Sequence, residues 1–359
     1  SGAMKEIMTH YHQTYCKPKW LSTESYGLLL LLLSALLFSV MGIFLKLASE
    51  GTITATTTSA GIPSTELVFF RATFQGSLVV IGMIGSRQRE TGRLLIATPF
   101  GQSYREMKVV VARGAIGGMG FLLYFYSIKS LPLGDAITLF SLYPILTIFL
   151  ARCVLNEPIS ICQLCAAVAC VIGATLIAGP SFLRSDDDTA DMLPSNSSTY
   201  NPLGYLTALL GSFFGASVVV LVRKAGTLGV HTLQLLFSWA TFGILFSILF
   251  GFSTLGQHLE GPWYIPQSNT EWGYILGMCS TGSVAHFLMN YAIRLGPAGL
   301  SAIARSSDLV WAYVWEVILF HKVPTDSTLV GVVFIVIALG GIAVQKVGEE
   351  RRRRDEFDC

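Results

Sequence analysis

The sequence predicts an all-α polytopic membrane protein: ten transmembrane helices forming two inverted five-helix repeats. Three observations lead there. The 359 residues are 52% hydrophobic and 13% charged, with a mean hydropathy of +0.59, and the apolar residues arrive in blocks of about twenty. Lysine and arginine gather in alternate connections, as the positive-inside rule requires. The two halves of the chain also resemble each other in register.

The spans run 26–48, 64–85, 107–128, 133–154 and 159–179, then 202–222, 230–251, 271–293, 297–320 and 325–345. Most exceed the roughly 17 residues a helix needs to cross. The third has the least defined start, because Arg113 sits about one turn in. The chain divides into an N-terminal segment (1–24), a first repeat (25–180), a polar linker (181–201), a second repeat (202–346) and a charged tail (347–359). The first 24 residues are polar and the next apolar run is too long for a signal-peptide core, so no cleaved leader is expected.

Placing the N-terminus in the cytosol puts 17 of the 24 Lys and Arg residues on that side. Lys129, Arg184 and Lys322 fall on the other, and Lys46, Arg71, Arg113 and Arg305 lie within spans. Both termini are then cytosolic, and the sequon at Asn196 faces the opposite compartment, where it can be glycosylated. The net charge of +2 gives no argument for nucleic acid as a partner. Cys162 and Cys165 have redox or metal spacing without a second pair or nearby histidines, so they are assigned to packing. No metal or cofactor is expected, and no phosphate-binding loop supports ATP-driven transport.

The repeat shows in two places. Tyr126, Ile128, Lys129, Pro132 and Gly134 match Tyr291, Ile293, Arg294, Pro297 and Gly299. Ser34 to Lys46 likewise matches Ser212 to Lys224. Five is an odd number of spans, so the second repeat enters the membrane inverted, the mark of alternating-access carriers. In the same register Ser141 corresponds to Ser306, and Tyr143 to Asp308.

The candidate site follows from polar residues that a bilayer tolerates only in a cavity or beside a partner. Arg305 lies about 12 Å along the ninth span. Asp308 shares its face, Ser306 and Ser307 leave polar surface beside it, and Trp311 and Trp315 follow on nearly the same stripe. Arg305 either presents a planar fork to an anion, oriented by Asp308, or locks packing through an internal ion pair. His286 and Asn290 share a face of span eight, and His286 is a candidate for the coupling proton or a hydrogen-bonded interior residue. Tyr124, Tyr126, Ser141 and Tyr143 read as polar spots of a hydroxyl-lined cavity opposite Arg305 or as aromatic core packing. Arg113 reads as an anchor beside close-approach glycines or as an anion contact, and Arg71 as linked to Glu66 or snorkelling. Asp135 reads as a helix cap, while Lys46 and Glu316 reach the outer interface.

Several stretches carry a family likeness: LLSALLFSVMGIFLK in span one, FFRATFQ in span two, and ARGAIGGMGFLLYFYSIKSLPLGDA across spans three and four. NEPIS, VRKAG and GPAGLSAIARSSDLVWAY extend it through residues 25–346. Together they resemble the EamA-type branch of the drug/metabolite transporter superfamily, and most of all eukaryotic solute carrier family 35, subfamily G. The resemblance implies a 5+5 carrier with a central cavity lined mainly by spans one, three, four, six, eight and nine. It also implies organic anions rather than nucleotide sugars as cargo.

The expected function is therefore secondary-active transport of a small organic solute, an anion or metabolite, by alternating access. The partners are that solute and the lipid bilayer, with a homodimer left open. A nucleotide-sugar exchanger is the alternative within the class. Outside it stand a membrane-embedded transferase, for which His321 with Asp326 is the nearest acid–base pair, and a non-transporting interaction protein. Which membrane holds the chain is not legible.

Overall fold

The computed structural model describes residues 23–49, 62–86, 94–131, 133–179, 202–254, 256–257, 261–263, 266, 268–320 and 326–358. The linker with Asn196, His321, and the side chains of Lys46, Lys129 and Glu316 lie outside the described residues. The described chain is almost wholly helical. Its first half holds α1 (Thr23–Ser49), α2 (Ser64–Gly85), α3 (Tyr104–Ser130), α4 (Leu133–Phe140), α5 (Tyr143–Leu155) and α6 (Ile161–Ala178). The second holds α7 (Pro202–Thr227), α8 (Thr232–Gly251), α9 (Asn269–Ile293), α10 (Ala298–Arg305), α11 (Ser307–Phe320) and α12 (Asp326–Asp358). α4 with α5, and α10 with α11, make up spans four and nine, so the chain crosses ten times as an integral multi-pass protein. Among the described residues, eight stretches are long and apolar enough to cross by composition alone. The other two, α9 and α10–α11, carry His286, Asn290, Arg305 and Asp308.

Local sequence explains where helices begin and end. Ser103 accepts from the Glu106 N–H at 3.2 Å to start α3, and Ser268 with Glu271 closes a capping box on α9. Asn156 and Gly179, both with left-handed backbone, terminate α5 and α6.

Two spans expected to be continuous are broken. Pro144 cannot donate to the Phe140 carbonyl and its ring crowds it, so the first break falls at Ser141–Leu142. The Ser212 hydroxyl, from α7, approaches that carbonyl at 3.5 Å. The second break needs no proline. At Ser306 the backbone tightens, with the Ser306 N–H bonded to Ile303 O at 3.0 Å. Ser307 Oγ folds back to donate to Ala304 O at 2.9 Å, which bends helices. The breaks occupy corresponding positions of the two repeats. The last helix also differs from expectation: it continues beyond its apolar window, which ends at Gln345, through the charged tail to Asp358.

Packing follows a pseudo-twofold. α1 lies against α9 and α11, and its counterpart α7 lies against α3 and α5. α2 pairs with α8, and α6 with α12. Large apolar side chains such as Ile81, Leu249 and Ile337 point outward, whereas Arg71, Arg113, Gln75, His286 and Asn290 are buried. That inside-out distribution suits hydrocarbon as solvent. At one end of the bundle Glu157 joins the repeats. It pairs with Arg223 at 3.2 Å and accepts the Ala298 N–H, at the start of α10, at 3.0 Å.

Candidate substrate-binding site

The two helix breaks meet at the centre of the bundle. The Tyr143 hydroxyl donates to the Ala302 carbonyl at 2.8 Å, joining the start of α5 to the last turn of α10. Arg305 ends α10 and Asp308 lies in the first turn of α11, so each charge complements the helix end that holds it. Their contact is loose: Arg305 Nε stands 4.0 Å from Asp308 Oδ2, and the side chains are 26% and 29% exposed. The guanidinium also lies over the Phe38 ring, 4.9 Å from its centroid, with Nη1 turned to the Met289 sulfur. A loosely paired, partly exposed fork keeps N–H groups available to an anion.

Deeper in, a buried polar network spans both halves. α3 begins at Tyr104, so Arg113 is about 13 Å along the helix rather than one turn in, and it is 0% exposed. Its Nη2 donates to His286 Nε2 at 2.8 Å and to Asn290 Oδ1 at 2.9 Å. With Nε2 accepting, His286 carries its proton on Nδ1 and donates to Gln75 Oε1 at 3.1 Å. Both ring nitrogens are thereby engaged. Gly114 lets α8 press in: a Cβ there would overlap the Ser238 hydroxyl, which instead donates to Val110 O at 2.7 Å.

Arg71 is the member that sequence reading missed. It makes no ion pair among the described residues and is 1% exposed. Its guanidinium lies 4.6 Å from the Phe121 ring centre, 5.3 Å from Trp239 and 5.7 Å from Phe38, and Nη2 reaches the Gly282 carbonyl at 3.5 Å. Gly282 gives Arg71 and Met41 this close approach, since a Cβ there would stand 3.0 Å from the Arg71 Nε and 2.7 Å from the Met41 sulfur. One signal was available. Gln75 stands one turn from Arg71 on the same face, a polar pair that a link to Glu66 leaves unexplained. Spans two and seven therefore enter the centre through Arg71, Gln75 and Trp239, beyond the lining the family resemblance implied.

The remaining candidates divide. Ser306 is buried at the second break, and Ser141, at the first, donates to Thr138 O at 2.6 Å. Tyr124 packs edge-on to Phe140, with ring centres 4.5 Å apart. Tyr126 projects from nearly the opposite side of α3 to Arg113, by helical spacing. Trp311 is 37% exposed, whereas Trp315, one turn on, donates to Ser39 Oγ at 3.0 Å. Asp135 lies in the first turn of α4 and accepts from the Tyr205 hydroxyl.

The profile of the EamA-like transporter family matches residues 25–179 and 202–344, one stretch in each half. The chain is 28% identical over 320 residues to human solute carrier family 35 member G1, covering 89% of this chain and 79% of that one. It is 26% identical over 322 residues to the pseudopaline exporter CntI of Pseudomonas aeruginosa, covering 90% of this chain and 97% of the exporter. A solved crystal structure superposes with a TM-score of 0.64 at 17% identity, over 90% of this chain and 98% of that one, a likeness of fold.

Proposed function

This chain belongs to the EamA-like transporter family, and on that premise we propose that it is a secondary-active carrier of a small organic anion. Transport as such accords with the relatives, which are named as a solute carrier and an exporter. The anionic cargo rests on one observation. Three guanidinium groups, of Arg71, Arg113 and Arg305, sit inside the bundle, and Asp308 is the one carboxylate ion-paired with any of them among the described residues. Uncompensated cations in a membrane interior mark a site for the opposite charge.

Arg305 receives the anion at the junction of the repeats. The broken helices beside it let each repeat rock about a site held near the midplane. Asp308 orients the fork, and Tyr143 couples the two breaks through Ala302. Glu157, bridging to Arg223 and α10, joins the repeats at one end of the bundle. A nucleotide-sugar exchanger would satisfy the same charge balance, so cargo size separates the two readings.

Uptake by purified protein in proteoliposomes tests this directly. Small carboxylates and phosphorylated solutes should enter and compete with one another, and quaternary ammonium cations should not. Uptake of cations with indifference to anions would overturn the proposal. Exchange confined to nucleotide sugars would transfer it to the alternative.

A further inference from the structure

We propose that the buried donor cluster around Arg71 and Arg113 is a second anion subsite, so that the cargo is a small organic dianion held by both ends. The inference rests on Arg305 binding one anionic group, as argued above, and adds the second. Six buried donor atoms in this region have no hydrogen-bond partner: Nε and Nη1 of Arg71, Nε and Nη1 of Arg113, Gln75 Nε2 and Trp239 Nε1. Buried polar atoms are nearly always satisfied, so six in one neighbourhood require an explanation. Three of the side-chain acceptors nearby are already occupied. Gln75 Oε1 faces His286 Nδ1, while Asn290 Oδ1 and His286 Nε2 face Arg113 Nη2.

The donors converge. The Trp239 ring lies 4.7 Å from the His286 ring and 5.3 Å from the Arg71 guanidinium. Gly117 presents no side chain between them: a Cβ there would stand 3.2 Å from Trp239 Cδ1 and 3.3 Å from Arg113 Nη1. What such a set lacks is lone pairs, and a carboxylate or phosphate supplies several on one planar or tetrahedral group. Aromatic faces of Phe121, Trp239 and Phe38 hold Arg71 meanwhile through its positive charge. The shared neighbour points to the class of ligand. Arg305 and Arg71 both lie beside the Phe38 ring, at 4.9 and 5.7 Å from its centre. A short dicarboxylate would engage both guanidinium groups at once.

The test compares succinate, butyrate and inorganic phosphate as probes in proteoliposome uptake and thermal unfolding of the full chain. Wild type should prefer succinate to butyrate by about 10- to 100-fold, one charge-assisted contact. Arg71→Gln and Arg113→Gln should bring the two solutes close to parity while butyrate still enters. Arg305→Gln should lose both. Where a glutamine variant fails to fold, Arg71→Lys and Arg113→Lys keep the charge without the fork, and a reduced preference is still expected. An unchanged succinate-to-butyrate ratio in folded Arg71 and Arg113 variants overturns the second subsite and leaves the Arg305 reading intact. Stabilisation by phosphate that depends on Arg71, with no preference for succinate, makes the cluster a separate inorganic-anion site and also overturns it. Anion uptake that survives Arg305→Gln removes the underlying reading instead.

Discussion

The Tyr143 hydroxyl and the Ala302 carbonyl, 2.8 Å apart, tie the broken helix of one repeat to the broken helix of the other. In an unbroken helix the Ala302 carbonyl would accept from the Ser306 N–H, but that donor has moved to Ile303. Tyr143 supplies the replacement from across the repeat interface, assisted at 3.5 Å by the Ser306 hydroxyl. A carrier that rocks its repeats needs such a joint, stiff in each state and local enough to re-form.

Removing the hydroxyl should therefore loosen the joint. Tyr143→Phe is expected to lower stability by about 1–3 kcal/mol, the range for a buried acceptor losing its donor. Tyr126→Phe, on the far side of α3, should change it by less than about 0.5 kcal/mol. Thermal unfolding of the purified variants checks this, and equal losses for both would remove Tyr143 from the joint.

Arg305 and Asp308 yield to a paired measurement. Arg305→Ala should weaken cargo binding by roughly 10- to 150-fold, with Arg305→Lys recovering part of it. Their 4.0 Å separation implies little structural dependence, so the folded yield of Arg305→Ala should stay near wild type. Normal affinity in a destabilised protein, with stability restored by adding Asp308→Ala, would make the pair a packing element.

His286 is placed to position Arg113, since its Nε2 lone pair already accepts from that guanidinium. Proton uptake there would require Arg113 to leave. His286→Gln, which keeps an acceptor, should retain proton-driven accumulation, whereas His286→Ala should lose cargo affinity by about tenfold, one hydrogen bond to a charged group. Loss of accumulation in His286→Gln, with exchange intact, would instead give His286 the coupling proton.

His231 offers a pH handle just ahead of α8, since the crossing expected from residue 230 begins at Thr232. It caps α8 by accepting the Leu233 N–H on Nδ1 at 3.2 Å, and burial, then the neighbouring Arg294 charge, pushes its pKa down to about 4. Protonation turns that acceptor into a donor and removes the cap. Because the folded value lies below the unfolded value of roughly 6.5, the contribution is full above that pH and is lost as pH falls towards about 4. His231→Asn caps without titrating, so its melting temperature should vary less across that window. A parallel profile for both proteins would sink the assignment.

Several features were legible from residues alone because a bilayer leaves a helix few choices. Every backbone group has to be satisfied within the span, so length and hydropathy mark the crossings, and the matched Pro132 and Pro297 mark the repeat. Arg305 stood out for the same reason: a charge that deep has few neutral explanations. Tertiary structure decided what depends on partners far along the chain. Pro144 signals a break, whereas the Ser306–Ser307 pair only permits one, and the carbonyl it frees at Ala302 is satisfied by a hydroxyl 159 positions away. The depth of Arg113 depended on where α3 begins, and the burial of Arg71 on Phe38, Phe121 and Trp239 from three other helices. Helical periodicity tells which residues share a face. Which faces meet is set by packing between helices, and there Arg113, read as an anchor or an anion contact, and Arg71, read as linked to Glu66 or snorkelling, came to lie with unmet donors in one buried cluster.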